Sequence, residues 1–222
     1  LLGETAHGNP VLVFQNLGLP LLPKWHFAVV TGYDLSTREI LLRSGTTRRW
    51  RTTLGTFERT WARGNYWALV ILPAGQIPAS AVPASYLAAA RDLEVTGRTG
   101  AAGSDYRAAT ERWPDLPAGW LAWGNNLYSA GQFRQSEAAF RMATVLAPAD
   151  ARAWNNLAYA LLQNACATEA QQAAACAAAL APDEPRYLET RKEIAELAAA
   201  NPSQATHCAP LQCPAVPGAA QE

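Results

Sequence analysis

The sequence predicts an α+β protein in which a domain built on an antiparallel β-sheet is followed by an all-α solenoid of helical hairpins. Two observations predict this order. Up to about residue 72, short apolar runs are separated by turn residues, which is the pattern of strands. Beyond Pro73 the apolar residues follow the period of helices, and similar residues recur at a fixed interval.

Four apolar runs predict the strands, over residues 11–14, 26–33, 39–43 and 66–72. Between the last two runs, residues 53–62 predict one helix or a wide turn with Phe57 and Trp61 directed inward. Because short strands joined by turns pair most simply with their neighbours, we expect an antiparallel sheet in a first domain over residues 1–76. Residues 77–84, rich in Pro and Ala, are predicted to be a linker.

The second half of the chain repeats every 34 residues. Three prolines and three aromatic residues each recur at this interval: Pro114, Pro148 and Pro182, and Tyr86, Trp120 and Trp154. The second unit also contains Gly124, Leu127 and Phe140, and its residues together resemble the tetratricopeptide repeat (TPR). The resemblance implies that residues 85–200 form three helical hairpins followed by a capping helix over about 186–199. The hairpins are expected over about 83–116, 117–150 and 151–184.

The first helix of each TPR hairpin lines a concave face, so the resemblance also implies a groove. The side chains that this alignment places there are polar or aromatic: Arg91, Asn125, Tyr128, Arg152, Asn155, Asn156 and Tyr159. Amides can bond the main chain of an extended peptide, and arginine can pair with a carboxylate. We therefore expect a protein or peptide partner in this groove. The alternative is that these residues are the solvated side of amphipathic helices. The lysines of TPR grooves that clamp a terminal carboxylate are absent from these positions.

Charge and composition argue against several other classes of partner. Lys and Arg total 18 and Asp and Glu total 18, so no long-range field favours nucleic acid or an anionic membrane. The sequence contains no run of about 20 apolar residues, so we expect no transmembrane span. His7 and His207 have no ligand partners at metal-binding spacing, and we expect neither a metal nor a cofactor.

Three segments of the first domain resemble a known enzyme family. They are the Pro-Val strand at 10–14, His26 with the Val-rich run that follows it to Tyr33, and the Ile-Leu-Leu segment at 40–42. This order resembles the C-terminal half of papain-like double-glycine leader peptidases, and more closely the bacterial peptidase-like proteins that join such a domain to TPRs. The resemblance implies that His26 is the general base. It also implies that Ser44 stands where the family has the group that orients the histidine.

The same resemblance implies a cysteine peptidase-like protein whose TPR array binds a substrate or partner. The family's Cys nucleophile lies upstream of the histidine on a helix, whereas no Cys precedes His26 in this sequence. We therefore expect this chain alone to be inactive, with the nucleophile supplied by an N-terminal segment of the same precursor. The alternative is a non-catalytic TPR scaffold for protein–protein interaction that carries a degenerate peptidase domain.

The chain has four cysteines, all in its second half: Cys166, Cys176, Cys208 and Cys213. An even count suits two disulfides in an exported protein, and the resemblance to bacterial peptidase-like proteins then implies a location in the periplasm or attached to the outer membrane. Cys166 falls in a turn and Cys176 lies further along a helix, so roughly 13 Å separates them, beyond disulfide reach. We therefore expect the tail, residues 201–222, to return so that Cys208 and Cys213 each bond one of them.

Overall fold

The computed structural model describes residues 1–200 and 208–214. The chain divides into two compact units, Leu1–Val82 and Pro83–Glu222, which we call the sheet unit and the helical unit. No helix among the described residues combines the length and the hydropathy needed to cross a membrane.

The sheet unit contains the predicted antiparallel sheet, with five strands in the order β4-β3-β2-β1-β5. The strands are β1 Val11–Asn16, β2 Trp25–Asp34, β3 Glu39–Ser44, β4 Thr47–Thr53 and β5 Ala68–Val70. Two short helices accompany the sheet, α1 Leu2–Ala6 and α2 Leu54–Ala62. The expected α+β class with an antiparallel sheet is therefore confirmed.

Two details of the sheet differ from the prediction. Strand β4 was not expected, because its sequence has three arginines and nearly every side chain of this edge strand is exposed, so it lacks an apolar run. The predicted strand over residues 66–72 is shortened to the three residues of β5. The chain turns immediately before it, where Asn65 and Tyr66 adopt positive φ angles of 55° and 54°.

One face of the sheet forms the core of this unit. Alternate residues of the three central strands are buried there: Val11, Val13, Ala28, Val30, Ile40 and Leu42. Helix α2 covers them with Phe57, which is buried, and with Trp61, which packs against the same cluster. The Thr53 hydroxyl begins this helix by accepting a hydrogen bond from the Thr56 amide at 3.2 Å. The predicted inward orientation of Phe57 and Trp61 is confirmed.

A buried carboxylate joins the two ends of the sheet unit. Glu4 is 1% exposed and accepts hydrogen bonds from the Asn9 amide, from the backbone amides of Ala79 and Ser80, and from the Ser80 hydroxyl. Burial by itself would raise the pKa of Glu4, but the bonds from Ser80, Asn9 and Ala79 outweigh it and lower the pKa to about 2. The carboxylate is therefore charged throughout the pH range in which proteins normally work.

The helical unit consists of seven helices with a constant spacing along the chain. They are α3 Pro83–Val95, α4 Thr99–Arg112, α5 Pro117–Ser129, α6 Phe133–Leu146, α7 Ala151–Gln163, α8 Ala167–Leu180 and α9 Pro185–Ala200. The odd-numbered helices begin at residues 83, 117, 151 and 185, and each start is 34 residues after the last. The described part of this unit contains no strand. Three hairpins and a final helix in the predicted 34-residue register are confirmed.

The recurring residues have a direct structural explanation. The Trp120 indole donates a hydrogen bond to the Pro114 carbonyl at 2.7 Å, and the Trp154 indole donates to the Pro148 carbonyl at 2.8 Å. Each tryptophan therefore joins its own hairpin to the end of the preceding one. In the first hairpin Tyr86 takes this place, and its hydroxyl donates to Asp105 at 3.2 Å instead.

Gly124 of α5 allows a close contact between the two helices of the second hairpin. A Cβ atom at this position would lie 2.5 Å from the ring of Phe140 in α6, which is nearly fully buried. The Gly124 carbonyl also accepts a hydrogen bond from the buried Ser136 hydroxyl at 2.9 Å. The two helices can approach this closely because position 124 has no side chain.

Helix α9 and the tail close the end of the helical unit. Tyr187, Ile194 and Ala198 of α9 are buried, whereas Leu197 is exposed. These buried residues lie seven and four positions apart, which is the spacing of one helix face, and residue 197 lies at the edge of that face.

Two disulfides hold the tail to this end of the chain. Cys166 bonds Cys208 and Cys176 bonds Cys213, with Cα–Cα distances of 5.8 and 5.7 Å. The prediction that the tail returns and that each of its cysteines bonds one of the earlier pair is confirmed for residues 208–214. The remainder of the predicted tail, with His207, lies outside the described residues.

Candidate functional site

The helical unit has a cavity of about 270 Å³ on one side of the second and third hairpins. Its lining comes from three helices: Asn125 and Tyr128 from α5, Phe140 from α6, and Asn156 and Tyr159 from α7. We call this cavity the α5–α7 pocket. Four of its five lining residues belong to the seven that the sequence placed in the groove, and the fifth, Phe140, is the ring that packs against Gly124.

A row of amides runs along one wall of this pocket. Asn155 donates from its Nδ2 to the Asn156 Oδ1 at 3.2 Å, and Asn156 donates from its Nδ2 to the Asn125 Oδ1 at 2.8 Å. Among the described residues, the Asn125 Nδ2 group has no acceptor, and the Asn125 side chain is exposed. The row therefore ends in an amide donor that faces solvent beside an apolar pocket.

The opposite wall is tied to the last helix. The Tyr159 hydroxyl donates to the Glu193 carboxylate of α9 at 2.6 Å and lies 3.4 Å from the Thr190 hydroxyl. Burial and the hydrogen bond to Glu193 raise the pKa of Tyr159, so the phenol stays protonated near neutral pH. This contact fixes the tyrosine between the pocket and α9.

The structure does not bring the other three groove residues into this pocket. Arg152 forms a two-bond ion pair with Asp150, from Nε to Oδ1 at 2.9 Å and from Nη2 to Oδ2 at 2.8 Å, next to the start of α7. Its bond to Asp150 lowers the pKa of that carboxyl. Arg91 is exposed on α3, and Asn155 contributes through its bond to Asn156. The α5–α7 pocket therefore contains two asparagines and two tyrosines from the set that the sequence placed in the groove.

A second cavity, of about 380 Å³, was not expected from the sequence. It lies between α4, α5 and α6, where Trp123, Arg107 and Gln135 are among its lining residues. The buried Asn126 forms part of its wall and donates to Glu94 at 2.9 Å and to the Thr99 carbonyl at 3.1 Å. Gly103 makes room for this asparagine, because a Cβ at position 103 would lie 2.5 Å from the Asn126 Oδ1.

In the sheet unit, the structure places His26 beside Ser44. The His26 Nε2 lies 2.6 Å from the Ser44 Oγ across the β2–β3 hairpin, and the imidazole is half-buried. Gln15 pairs with His26 in the neighbouring strand, is 1% exposed, and donates to the Thr60 hydroxyl at 2.6 Å. Its Oε1 has no hydrogen-bond partner among the described atoms. Asp34 caps the turn at Ser36, at the far end of β2.

The cysteines cannot act as nucleophiles in this form of the chain. All four are bonded in disulfides, and all four lie in the helical unit. Cys166, Glu169 and Cys208 bring two sulfurs and a carboxylate oxygen within 4.8 Å of one another. Because the two sulfurs are bonded to each other, they are not the thiolates that a metal ion requires.

Comparison with known proteins identifies the fold of the helical unit. No family model matches the chain, and no curated protein matches it. The solution structure of the first TPR domain of human RPAP3 is 14% identical, with a TM-score of 0.51, over 55% of this chain and 97% of that one. The first TPR of Spaghetti (RPAP3) bound to the HSP90 peptide SRMEEVD is also 14% identical, with a TM-score of 0.50, over 53% and 93%.

These likenesses show that the helical half of the chain has the TPR fold. The TPR part of the sequence interpretation is therefore confirmed. The papain-like interpretation of the sheet unit receives no support from any comparison.

Proposed function

We propose that this protein is a non-catalytic scaffold whose helical unit holds an extended segment of a partner polypeptide at the α5–α7 pocket. The observation that carries the proposal is the amide row that ends at Asn125 beside an apolar cavity. An extended peptide presents a carbonyl and an amide at each residue, and asparagine side chains can bond both. The TPR of Spaghetti binds an HSP90 peptide, and the same use of a TPR surface is proposed here.

The character of the pocket fits an uncharged part of the partner. Tyr128, Phe140 and Tyr159 supply apolar walls, while Arg152, the cation expected in the groove, is paired with Asp150. An aliphatic or aromatic side chain of the partner would fill the pocket while Asn125 bonds its main chain. A volume of about 270 Å³ can hold one large side chain.

This proposal predicts the effect of removing the amides. A random nine-residue peptide library displayed on phage would be panned against the whole chain, and the enriched peptides would be measured by fluorescence anisotropy. We expect Asn125→Ala with Asn156→Ala to weaken their binding at least about tenfold, since the bond from Asn125 to the peptide is lost together with the Asn156 amide that holds Asn125 in place. Circular dichroism would check that the variant folds.

Gln135→Ala is the matched control, because it removes an exposed amide that lines the other cavity. It should leave peptide affinity unchanged. Failure to enrich any peptide, or equal affinity of the double variant and the natural chain, would contradict the proposed function.

We also propose that the chain works in an oxidising compartment such as the bacterial periplasm. Its support is that all four cysteines are paired, and disulfides persist in such compartments. Alkylation of thiols in acid-quenched cells should label none of the four cysteines, and labelling of any of them would argue against this location.

A second candidate function is peptide hydrolysis in which another segment brings a thiol to His26. The contact of 2.6 Å between His26 and Ser44 favours it, because a hydroxyl in that position can hold the imidazole as a general base. This chain alone should not hydrolyse a fluorogenic peptide. A precursor with a cysteine upstream of His26 should do so, with loss of activity after iodoacetamide or in His26→Ala. Full activity in His26→Ala would exclude this candidate.

A further inference from the structure

The second face of the sheet, opposite the core, is apolar over three adjacent strands. Its residues alternate with the buried ones along β1 and β2 and continue onto β5 and the residue before it: Leu12, Phe14, Trp25, Phe27, Val29, Trp67 and Leu69. In an antiparallel sheet with one solvated face, the outward residues are normally polar. Strands that are apolar on both faces belong to sheets covered on both sides.

The aromatic residues of this face form one connected cluster. The Phe14 ring stacks on Trp25 with centroids 5.0 Å apart and an interplanar angle of 11°, and it lies 4.7 Å from Phe27. Trp67 meets both phenylalanines edge-on, at 6.5 and 5.8 Å. Even so, Trp25 and Phe27 remain 53% and 54% exposed. The rings pack against one another and leave an apolar surface in contact with water.

The loop between β1 and β2 extends this surface. Leu19, Leu21 and Leu22 are all exposed, and Leu21 reaches 93%. The loop is nevertheless tightly held, because the Asn16 Oδ1 accepts bonds from the Gly18 and Lys24 amides at 2.9 and 2.8 Å. The fold therefore fixes these leucines in an exposed position, and no hydrophobic core cluster within residues 1–200 and 208–214 includes them.

This face of the sheet also carries two arginines, on β3 and β4. Arg43 of β3 pairs with Val29, and Arg51 of β4 pairs with Leu41 and forms an ion pair with Glu39 at 3.0 Å. The sheet unit as a whole has eight Lys and Arg against four Asp and Glu, although the complete chain is neutral. The second face is thus divided into an apolar part over β5, β1 and β2 and a basic part over β3 and β4.

We propose that two copies of this chain associate through the apolar part of this face, as a symmetric sandwich of two sheets. A twofold axis parallel to β1 places β2 of one copy over β5 of the other. The apolar parts then cover each other. The arginines of the two copies lie on opposite flanks, where they stay hydrated and do not meet.

The available area supports a stable pair rather than a transient contact. Each large aromatic side chain carries roughly 150–250 Å² of surface. Only the exposed part of these four rings is available. Together with the exposed leucines of β5 and of the β1–β2 loop, it offers on the order of 800 Å² per copy, which is the size of a stable interface. An apolar centre with a charged rim is also the usual anatomy of such interfaces.

The test is the association state of the whole chain by sedimentation equilibrium at about 10 μM and below. We expect a dimer that dissociates on dilution. Phe27→Lys with Leu69→Lys places two cations per copy in the apolar part and should raise the dissociation constant at least about 100-fold. Leu35→Lys with Val145→Lys adds the same charge at two exposed side chains that are not among the residues of this face and should leave the dimer intact.

Two outcomes would overturn the proposal. One is a natural chain that sediments as a monomer throughout this range. Binding of that monomer to vesicles of phosphatidylcholine and phosphatidylglycerol through this face would show that the face meets a membrane and not a second copy. The other is a dimer that the Phe27 and Leu69 changes leave intact. Far-UV circular dichroism of both double variants distinguishes a lost interface from a lost fold.

Discussion

Replacing Cys166 and Cys208 together with alanine is expected to lower the free energy of unfolding by about 2 to 4 kcal/mol. The bond closes a segment with a sequence separation of 42 residues that contains the whole of α9, so its loss frees a long stretch of the unfolded chain. Alanine is preferred to serine because Cys166 is buried. Urea unfolding, followed by circular dichroism without reductant, measures the change.

Cys176→Ala with Cys213→Ala provides the matched comparison, with a similar separation of 37 residues. Its cost should be of similar size. Hydrogen exchange should locate the change in α8 and α9, since both bonds lie within the helical unit, while the amides of the sheet should be unaffected. Unfolding midpoints that are unchanged in both variants would show that the tail contributes nothing to stability.

Phe140→Ala is expected to cost about 3 to 5 kcal/mol of unfolding free energy. The ring is among the largest fully buried side chains, and it fills the space between α5 and α6 that Gly124 leaves open. Its removal creates a cavity in the second hairpin and also deletes one wall of the α5–α7 pocket. Chemical denaturation gives the loss of stability, and peptide affinity gives the effect on the pocket.

Gly124→Ala offers a sharper check on the same contact. Alone it should cost about 1 to 3 kcal/mol, because the new methyl group would lie 2.5 Å from the Phe140 ring. In the Phe140→Ala background the methyl group has room, so the same substitution should cost almost nothing. Strictly additive costs would mean that the two residues do not constrain each other.

The helical repeats could be predicted from the sequence because each recurring residue satisfies a recurring contact. Trp120 and Trp154 recur because each donates to a proline carbonyl of the preceding hairpin. Position on the helix also placed Asn125 and Asn156 on the same side of the hairpins, where both line the α5–α7 pocket. Helical position does not reveal that Asp150, two residues before Arg152, binds the Arg152 guanidinium locally.

The sheet unit was less predictable, for two physical reasons. Strand β4 is an exposed edge strand, so it has none of the apolar alternation by which strands are recognised. The apolar runs of β1 and β2 did predict strands. Because such a run is apolar on both faces, it does not indicate which face packs against the core of the unit. The aromatic cluster around Phe14 therefore became visible only with the strand register.

The three arginines of β4 have a consequence for how far this protein can assemble. An unpaired strand at the edge of a sheet can template another strand, and repetition of that event produces fibres. Arg48, Arg49 and Arg51 are exposed along this edge, so two such edges would bring six guanidinium groups together. The opposite edge, β5, is three residues long and offers few hydrogen bonds. Open-ended pairing of sheets, strand against strand, is therefore disfavoured at both edges.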